Sequence, residues 1–171
     1  MKHFIALVGV VCAFAFLPIN TGAQSIEQLG EFNAWRAFRF QEGGSRVCYM
    51  ASQPVKSEGD YTKRGQVFWL VTHRPALQRL NVSSFVAGYP FEKGSTVTVA
   101  FDQGNHMTMF TKDETSWLRD EDDISAITKM KRGLKMVITG VSQRGTKTLD
   151  TFSLSGFTAA YNTISRSCNV D

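Results

Sequence analysis

Histidine is scarce in this chain. There are three in 171 residues, and none is spaced from another as metal ligands are. Cysteine is equally scarce at three, and no Cys-x-x-Cys occurs, which excludes zinc ribbons and thioredoxin-like redox motifs. The chain has no Gly-x-Ser-x-Gly elbow and no phosphate-binding glycine loop, so the standard hydrolase and nucleotide signatures are missing. The acidic run Asp120, Glu121, Asp122, Asp123 lacks the spaced oxygen ligands and central glycine of a calcium loop. It reads as a solvated helix start. Charge of one sign is also lacking in excess. A formal charge of +4, with 43% hydrophobic and 12% aromatic residues, excludes a disordered chain. The length fits one domain, with no internal repeat, low-complexity tract or linker to divide it.

What is present begins with a leader. Met1-Lys2-His3 precedes an uncharged run from Phe4 to Leu17, followed by Pro18-Ile-Asn-Thr-Gly-Ala23. Small residues at Thr21 and Ala23 suit a signal peptidase, so cleavage after Ala23 is expected. The alternative, a membrane anchor, needs about 18–20 apolar residues. Cys12 has Val10-Val11 before it rather than the small residue that lipidation requires. Residues 1–23 are therefore expected to be removed, leaving residues 24–171 as a single domain. That domain has two cysteines, a formal charge of +3 and no transmembrane helix.

An exported chain enters a compartment where disulfides persist. Cys48 and Cys168 are then the remaining pair, 120 positions apart. A bridge between them contributes about 4–5 kcal/mol in the chain-entropy model. The alternative is two separate buried thiols.

Short β-type runs dominate the domain. Strands are expected near 34–40, 47–54, 67–74, 81–87, 95–101, 106–111, 135–142 and 147–153. Thr96-Val-Thr-Val-Ala-Phe101 alternates as a half-buried strand does, and Val67-Phe-Trp-Leu-Val71 is apolar on both faces. Long polar loops are expected over 56–65 and 88–94. One helix is expected over 121–132, with acids at its start, bases at its end and Gly133 at its cap. Another is expected over 157–167, where Phe157, Tyr161, Ile164 and Cys168 share a face. These features describe a mainly β domain, an antiparallel β-sandwich or barrel-like fold with two short helices.

Residues for catalysis are hard to find. His73 and His106 sit in different strands and read as polar strand residues. Basic residues are scattered, but several fall in loops that a sandwich gathers at one end. Lys63, Arg64, Arg74 and Arg144, with the aromatic loop pair Tyr89 and Phe91, form the candidate interaction surface. Such a surface suits an acidic partner, such as an acidic glycan, lipopolysaccharide or a membrane surface. Export and the lack of a recognisable module argue against nucleic acid.

Several longer segments carry a resemblance. Cys48-Tyr-Met-Ala-Ser-Gln-Pro-Val-Lys-Ser-Glu-Gly-Asp-Tyr61, Leu70-Val-Thr-His-Arg-Pro75 and Val86-Ala-Gly-Tyr-Pro-Phe91 are three of them. Met130-Lys-Arg-Gly133, Ser142-Gln-Arg-Gly-Thr146 and Asp150-Thr-Phe-Ser-Leu-Ser-Gly-Phe-Thr-Ala-Ala160 follow in the same order. Together they resemble the bacterial invasion-associated locus B family over about 30–168. Phe110-Thr111 and Ser116-Trp117 keep the outline of another family segment, with Ser116 in place of a small apolar residue. The resemblance implies an exported envelope protein of a Gram-negative bacterium, periplasmic, associated with the outer membrane or secreted. It implies a compact β-rich domain with a disulfide, no cofactor and no established catalytic residues. The family name comes from a protein linked to entry into host cells, notably red cells, although members also occur in bacteria with no invasive lifestyle. The expected function is non-enzymatic binding to an envelope or host-surface component. The alternatives are general envelope maintenance, or a hydrolase with no standard motif, for which Asp60, His73 and a hydroxyl would have to share a cleft.

Thiol titration of the exported chain under denaturing, non-reducing conditions is expected to count no free thiol. Two titratable thiols would refute the Cys48–Cys168 bridge.

Overall fold

The computed structural model describes residues 25–170 apart from 103 and 105, so the expected leader and Cys12 lie outside the described residues. The described chain forms strands β1 (Glu27–Phe32), β2 (Trp35–Glu42), β3 (Ser45–Ser52), β4 (Lys56–Gly59), β5 (Phe68–Arg74) and β6 (Arg79–Val86). They are followed by β7 (Thr96–Phe101), β8 (His106–Lys112), β9 (Thr115–Trp117), helix α1 (Asp120–Arg132), β10 (Lys135–Val141), β11 (Lys147–Ser153) and helix α2 (Phe157–Cys168). All strand pairs are antiparallel, in the order β1-β2-β3-β5-β6-β9-β8-β7-β10-β11-β4.

The sheet folds over itself like a sandwich without closing into a barrel. Phe85 of β6 meets Phe152 of β11 edge-on, with ring centres 6.2 Å apart, although four strands separate them in the sheet order. Trp35, at the start of β2, donates its indole N–H to the Ser153 carbonyl at the end of β11 (3.0 Å). β1 and β4 remain as the sheet's edges. The core forms where alternate residues point inward. Met50 and Ser52 of β3, Trp69 and Val71 of β5, Val97 and Val99 of β7, and Met136 and Ile138 of β10 are all buried.

Three strands were not expected from sequence. β1 and β4 are edge strands, and every residue of β4 is exposed, so no apolar alternation marks it. β9 is only three residues long. The polar loop expected over 56–65 is thus part edge strand, with Ser57 opposite Asp150 of β11.

The helices begin and end within a residue of expectation. α2 lies against β1, β2, β3 and β5. Its start depends on Gly156, at φ +89°, because a Cβ there would sit 1.8 Å from the Phe32 carbonyl oxygen. Its last residue, Cys168, is bonded to Cys48 of β3, with Cα atoms 6.0 Å apart. Directly opposite Cys48 in the sheet is His73, fully buried. The Asn81 backbone N–H donates to His73 Nδ1 (3.1 Å), so the ring's proton sits on Nε2, facing Ser165 Oγ of α2 (3.3 Å). Tyr161 of α2 donates its hydroxyl to Asn81 Oδ1 (2.6 Å). α1 is tied to β6 differently: the Ser83 backbone N–H donates to the buried Asp123 carboxylate (2.9 Å). Among the described residues, no helix is long and apolar enough to cross a membrane.

These two buried groups titrate in opposite senses. Burial lowers His73 from 6.5 to about 4. Burial, aided by Asp120 and Asp122, raises Asp123 from 3.8 to about 6 against the Ser83 hydrogen bonds. Between pH 6.5 and 4 the unfolded chain holds the extra proton at position 73, so His73 lowers stability on acidification by about 3 kcal/mol. Between pH 6 and 3.8 the folded chain holds the extra proton at position 123, so Asp123 raises stability on acidification by about the same amount. The two effects nearly cancel in the intact chain. Urea unfolding at pH 7 and pH 4 is expected to separate them. Relative to the parent, Asp123→Asn should lose about 3 kcal/mol on going to pH 4, and His73→Gln should gain about 3 kcal/mol. Parallel pH curves for all three proteins would contradict this assignment.

Candidate functional site

One end of the sandwich carries a polar cleft of about 790 Å³, walled by the segments 60–65, 88–90 and 142–148. Its floor includes Arg64, which is held from beneath by an ion pair. Arg64 Nη1 and Nη2 each lie 2.8 Å from an oxygen of Asp150, and both side chains are almost wholly buried. Ser57 Oγ donates to the same carboxylate (2.7 Å), and Arg64 Nε donates to the Ala87 carbonyl (2.6 Å). The guanidinium lies 4.8 Å from the Tyr89 ring centre and 5.5 Å from that of Tyr61. Burial works against the Arg64 charge, but hydrogen bonding and attraction from Asp150 outweigh it and hold its pKa above the ordinary guanidinium value. Burial raises the Tyr89 phenol, which shares a 2.6 Å hydrogen bond with Thr148 Oγ1.

Backbone contacts fix the walls. The Gly65 N–H donates to the Gly88 carbonyl (2.8 Å). A Cβ on Gly88, at φ +70°, would lie 2.5 Å from the Gly65 oxygen, so the two loops meet this closely only through glycine. The Gln143 N–H donates to the Pro90 carbonyl (2.8 Å). Ser142 Oγ accepts from the Arg144 and Thr146 N–H groups at 3.3 and 3.2 Å and closes the third wall into a turn.

The structure brings together Lys63, Arg64, Tyr89 and Arg144 of the sequence-derived surface, in different roles. Lys63 and Arg144 are exposed, and neither forms an ion pair among the described residues. Arg64 belongs to the floor and Tyr89 is half-buried. Arg74 lies elsewhere, beside the β2–β3 turn, paired with Glu42 (3.1 Å). Phe91 is a core residue, bridged to Ser142 and packed against Phe85 and Tyr89. The aromatic loop pair was expected to be exposed; of Tyr89, Pro90 and Phe91 only Pro90 is, because the Phe91 ring is buried in the core and the Tyr89 ring is half-buried at the cleft. Asp60 lines the cleft, but His73 lies beneath α2, so these two do not share a site. His106 is exposed on β8. Trp35 and Trp69 are fully buried, and Trp117 is half-buried against Phe110.

The sequence pattern described as Invasion associated locus B (IalB) protein matches residues 35–165. The chain belongs to that family. The fold agrees with the crystal structure of invasion associated protein B from Bartonella henselae, at a TM-score of 0.60 and 16% identity. The match covers 82% of this chain and 96% of that one. No curated protein matches the sequence. In this IalB-family chain, three of the segments that carry the resemblance, 48–61, 86–91 and 142–146, contribute residues to the cleft.

A second groove, of about 480 Å³, lies on the outer face of β2, β3 and β5, where Phe38 stacks on Tyr49 with ring centres 4.9 Å apart. Its rim charges, Glu31 and Arg36, neutralise each other at 3.2 Å.

Removing Arg64 should leave the Asp150 carboxylate buried without its cation. Arg64→Ala is expected to lose about 3–5 kcal/mol in denaturant unfolding, while Lys63→Ala and Arg144→Ala stay within about 0.5 kcal/mol of the parent. An Arg64→Ala protein as stable as the parent would remove the ion pair from its structural role.

Proposed function

We propose that this chain is an exported, non-enzymatic protein of the Gram-negative cell envelope that acts by binding, and that the polar cleft is its binding site. The observation that carries the proposal is the pairing of a rigid floor with uncommitted charge. The Arg64–Asp150 pair and the loop-to-loop hydrogen bonds hold the walls in place, while Lys63 and Arg144 remain free to meet a ligand. A site fixed before the ligand arrives loses little entropy on binding. The separation of Asp60 from His73 weighs against the hydrolase reading, which needs an acid or base beside a nucleophile. The invasion-associated name of the family and of the Bartonella henselae protein supports a role in host-cell entry.

Gln143 is exposed on the cleft wall, so Gln143→Trp fills the cleft without touching its floor. Immobilised parent protein is expected to retain a component of solubilised envelope or red-cell membrane that Gln143→Trp does not retain. Equal retention by both, with the variant as stable as the parent, would remove the cleft as the binding site.

A further inference from the structure

We infer that the cleft takes an anionic glycan, a short oligosaccharide bearing phosphate or carboxylate groups. The inference rests on the reading of the cleft as a binding site and names its ligand class.

Charge decides the first half. Arg64 is neutralised by Asp150, so the cleft's free charges are Lys63 and Arg144 against the single exposed carboxylate of Asp60. Two cations against one acid give a local surplus of positive charge at a concave surface, where a field is focused most strongly. Several other arginines are already paired, Arg74 with Glu42, Arg36 with Glu31 and Arg79 with Asp120, and none of the remaining ones lines this cleft.

Lining chemistry decides the second half. No Leu, Ile, Val, Met or Phe faces the cleft, so it offers no apolar socket for an acyl chain or for the side chains that anchor a peptide. Hydroxyl residues line it instead: Tyr61, Thr62 and Thr146 have theirs available, while Tyr89 and Thr148 bond to each other and Ser142 Oγ closes its own turn. The Gln143 amide adds donors and an acceptor, and Asp60 adds a carboxylate that accepts from sugar hydroxyls. Tyr61 presents a partly exposed ring at the same site, against which the apolar face of a sugar can pack. Dense donors and acceptors, an aromatic ring and two free cations match a polyhydroxylated ring with anionic substituents. A volume of about 790 Å³ lies within the usual range for ligand sites.

The test titrates the full exported chain with deacylated lipopolysaccharide oligosaccharide, the same oligosaccharide after dephosphorylation, and a polyglutamate peptide. Calorimetry gives affinity, and the amide chemical shifts of Gly65, Gly88 and Gly145 report the cleft. The intact oligosaccharide is expected to shift these amides. Its affinity should fall roughly tenfold or more in Lys63→Ala/Arg144→Ala, and should weaken with dephosphorylation and with added salt. Binding of equal strength in the double variant would overturn the inference. So would polyglutamate shifting the cleft amides where the glycan does not. If no probe shifts these amides while Gln143→Trp still abolishes capture from membrane extract, the glycan assignment fails and the cleft reading stands. If capture is also unchanged by Gln143→Trp, both fail.

Discussion

The geometry of the cleft depends on one buried ion pair. Asp150 is an inward-facing residue of β11, and its carboxylate is sealed from water. An isolated carboxylate in that position would be strongly destabilising. Arg64 meets it with two parallel hydrogen bonds and Ser57 with a third, so both carboxylate oxygens are engaged. Arg64 sits in a stretch with no regular structure, between β4 and β5. The ion pair therefore gives an otherwise unsupported loop a fixed course. The other walls build on that loop: the segment at 88–90 docks through Gly65 and the Tyr89 ring, and the turn at 142–146 docks on Pro90. Loss of the pair would free the 60–65 loop, whereas the turn at 142–146 keeps its own hydrogen bonds and the segment at 88–90 stays anchored by buried Phe91.

The α2 side of the domain is held by different chemistry. There α2 is fixed by apolar burial of Phe157, Ala160 and Ile164, by the Cys48–Cys168 bond, and by the contacts of His73 and Tyr161 with Ser165 and Asn81. A neutral, fully buried histidine whose two ring nitrogens both have partners is a packing element, not a catalytic base. The two anchors bear on different strands, β3 and β5 for the helix and β11 and β4 for the ion pair. The core strands between them carry the apolar contacts that join the two.

How much of this could be read in the sequence follows from which signals are local. The alternation in β7 and β10 and the stripe on α2 repeat over several turns or pairs, so these elements emerge clearly. β4 does not, because all four of its residues face solvent and its only support is pairing with β11. Asp150 is the most instructive residue. Beside Leu149 it looks like the outward, polar member of an alternating strand. The phase set by Phe152 and Leu154, both buried, instead places even positions inward and leaves Leu149 37% exposed. A charged residue on the core phase of a strand needs a partner, and that was the available signal. The identity of the partner was not legible, because Arg64 lies 86 positions away. Phe91 fails for the converse reason. Its neighbours are turn residues, which suggested a solvent-exposed loop, but a loop crossing the end of a sandwich can turn its aromatic rings into the core.

A net charge counts the surplus of bases over acids, whereas a binding site depends on where that surplus remains after folding. Lys63, Arg64, Arg74 and Arg144 were equivalent in the sequence. Folding places carboxylates beside two of them and none beside the other two. Arg64 and Arg74 nonetheless differ. The Arg74–Glu42 pair is partly exposed and contributes little to stability, so its charges are screened by solvent. The Arg64–Asp150 pair is desolvated, and its charge is committed to holding the site together. The cleft thus uses arginine in two ways: one buried to set the walls, and one left at the rim to set the field. Replacing either tests a different property. A loss of binding at Arg144 with stability intact reports the field, whereas a loss at Arg64 mixes field with collapse of the walls.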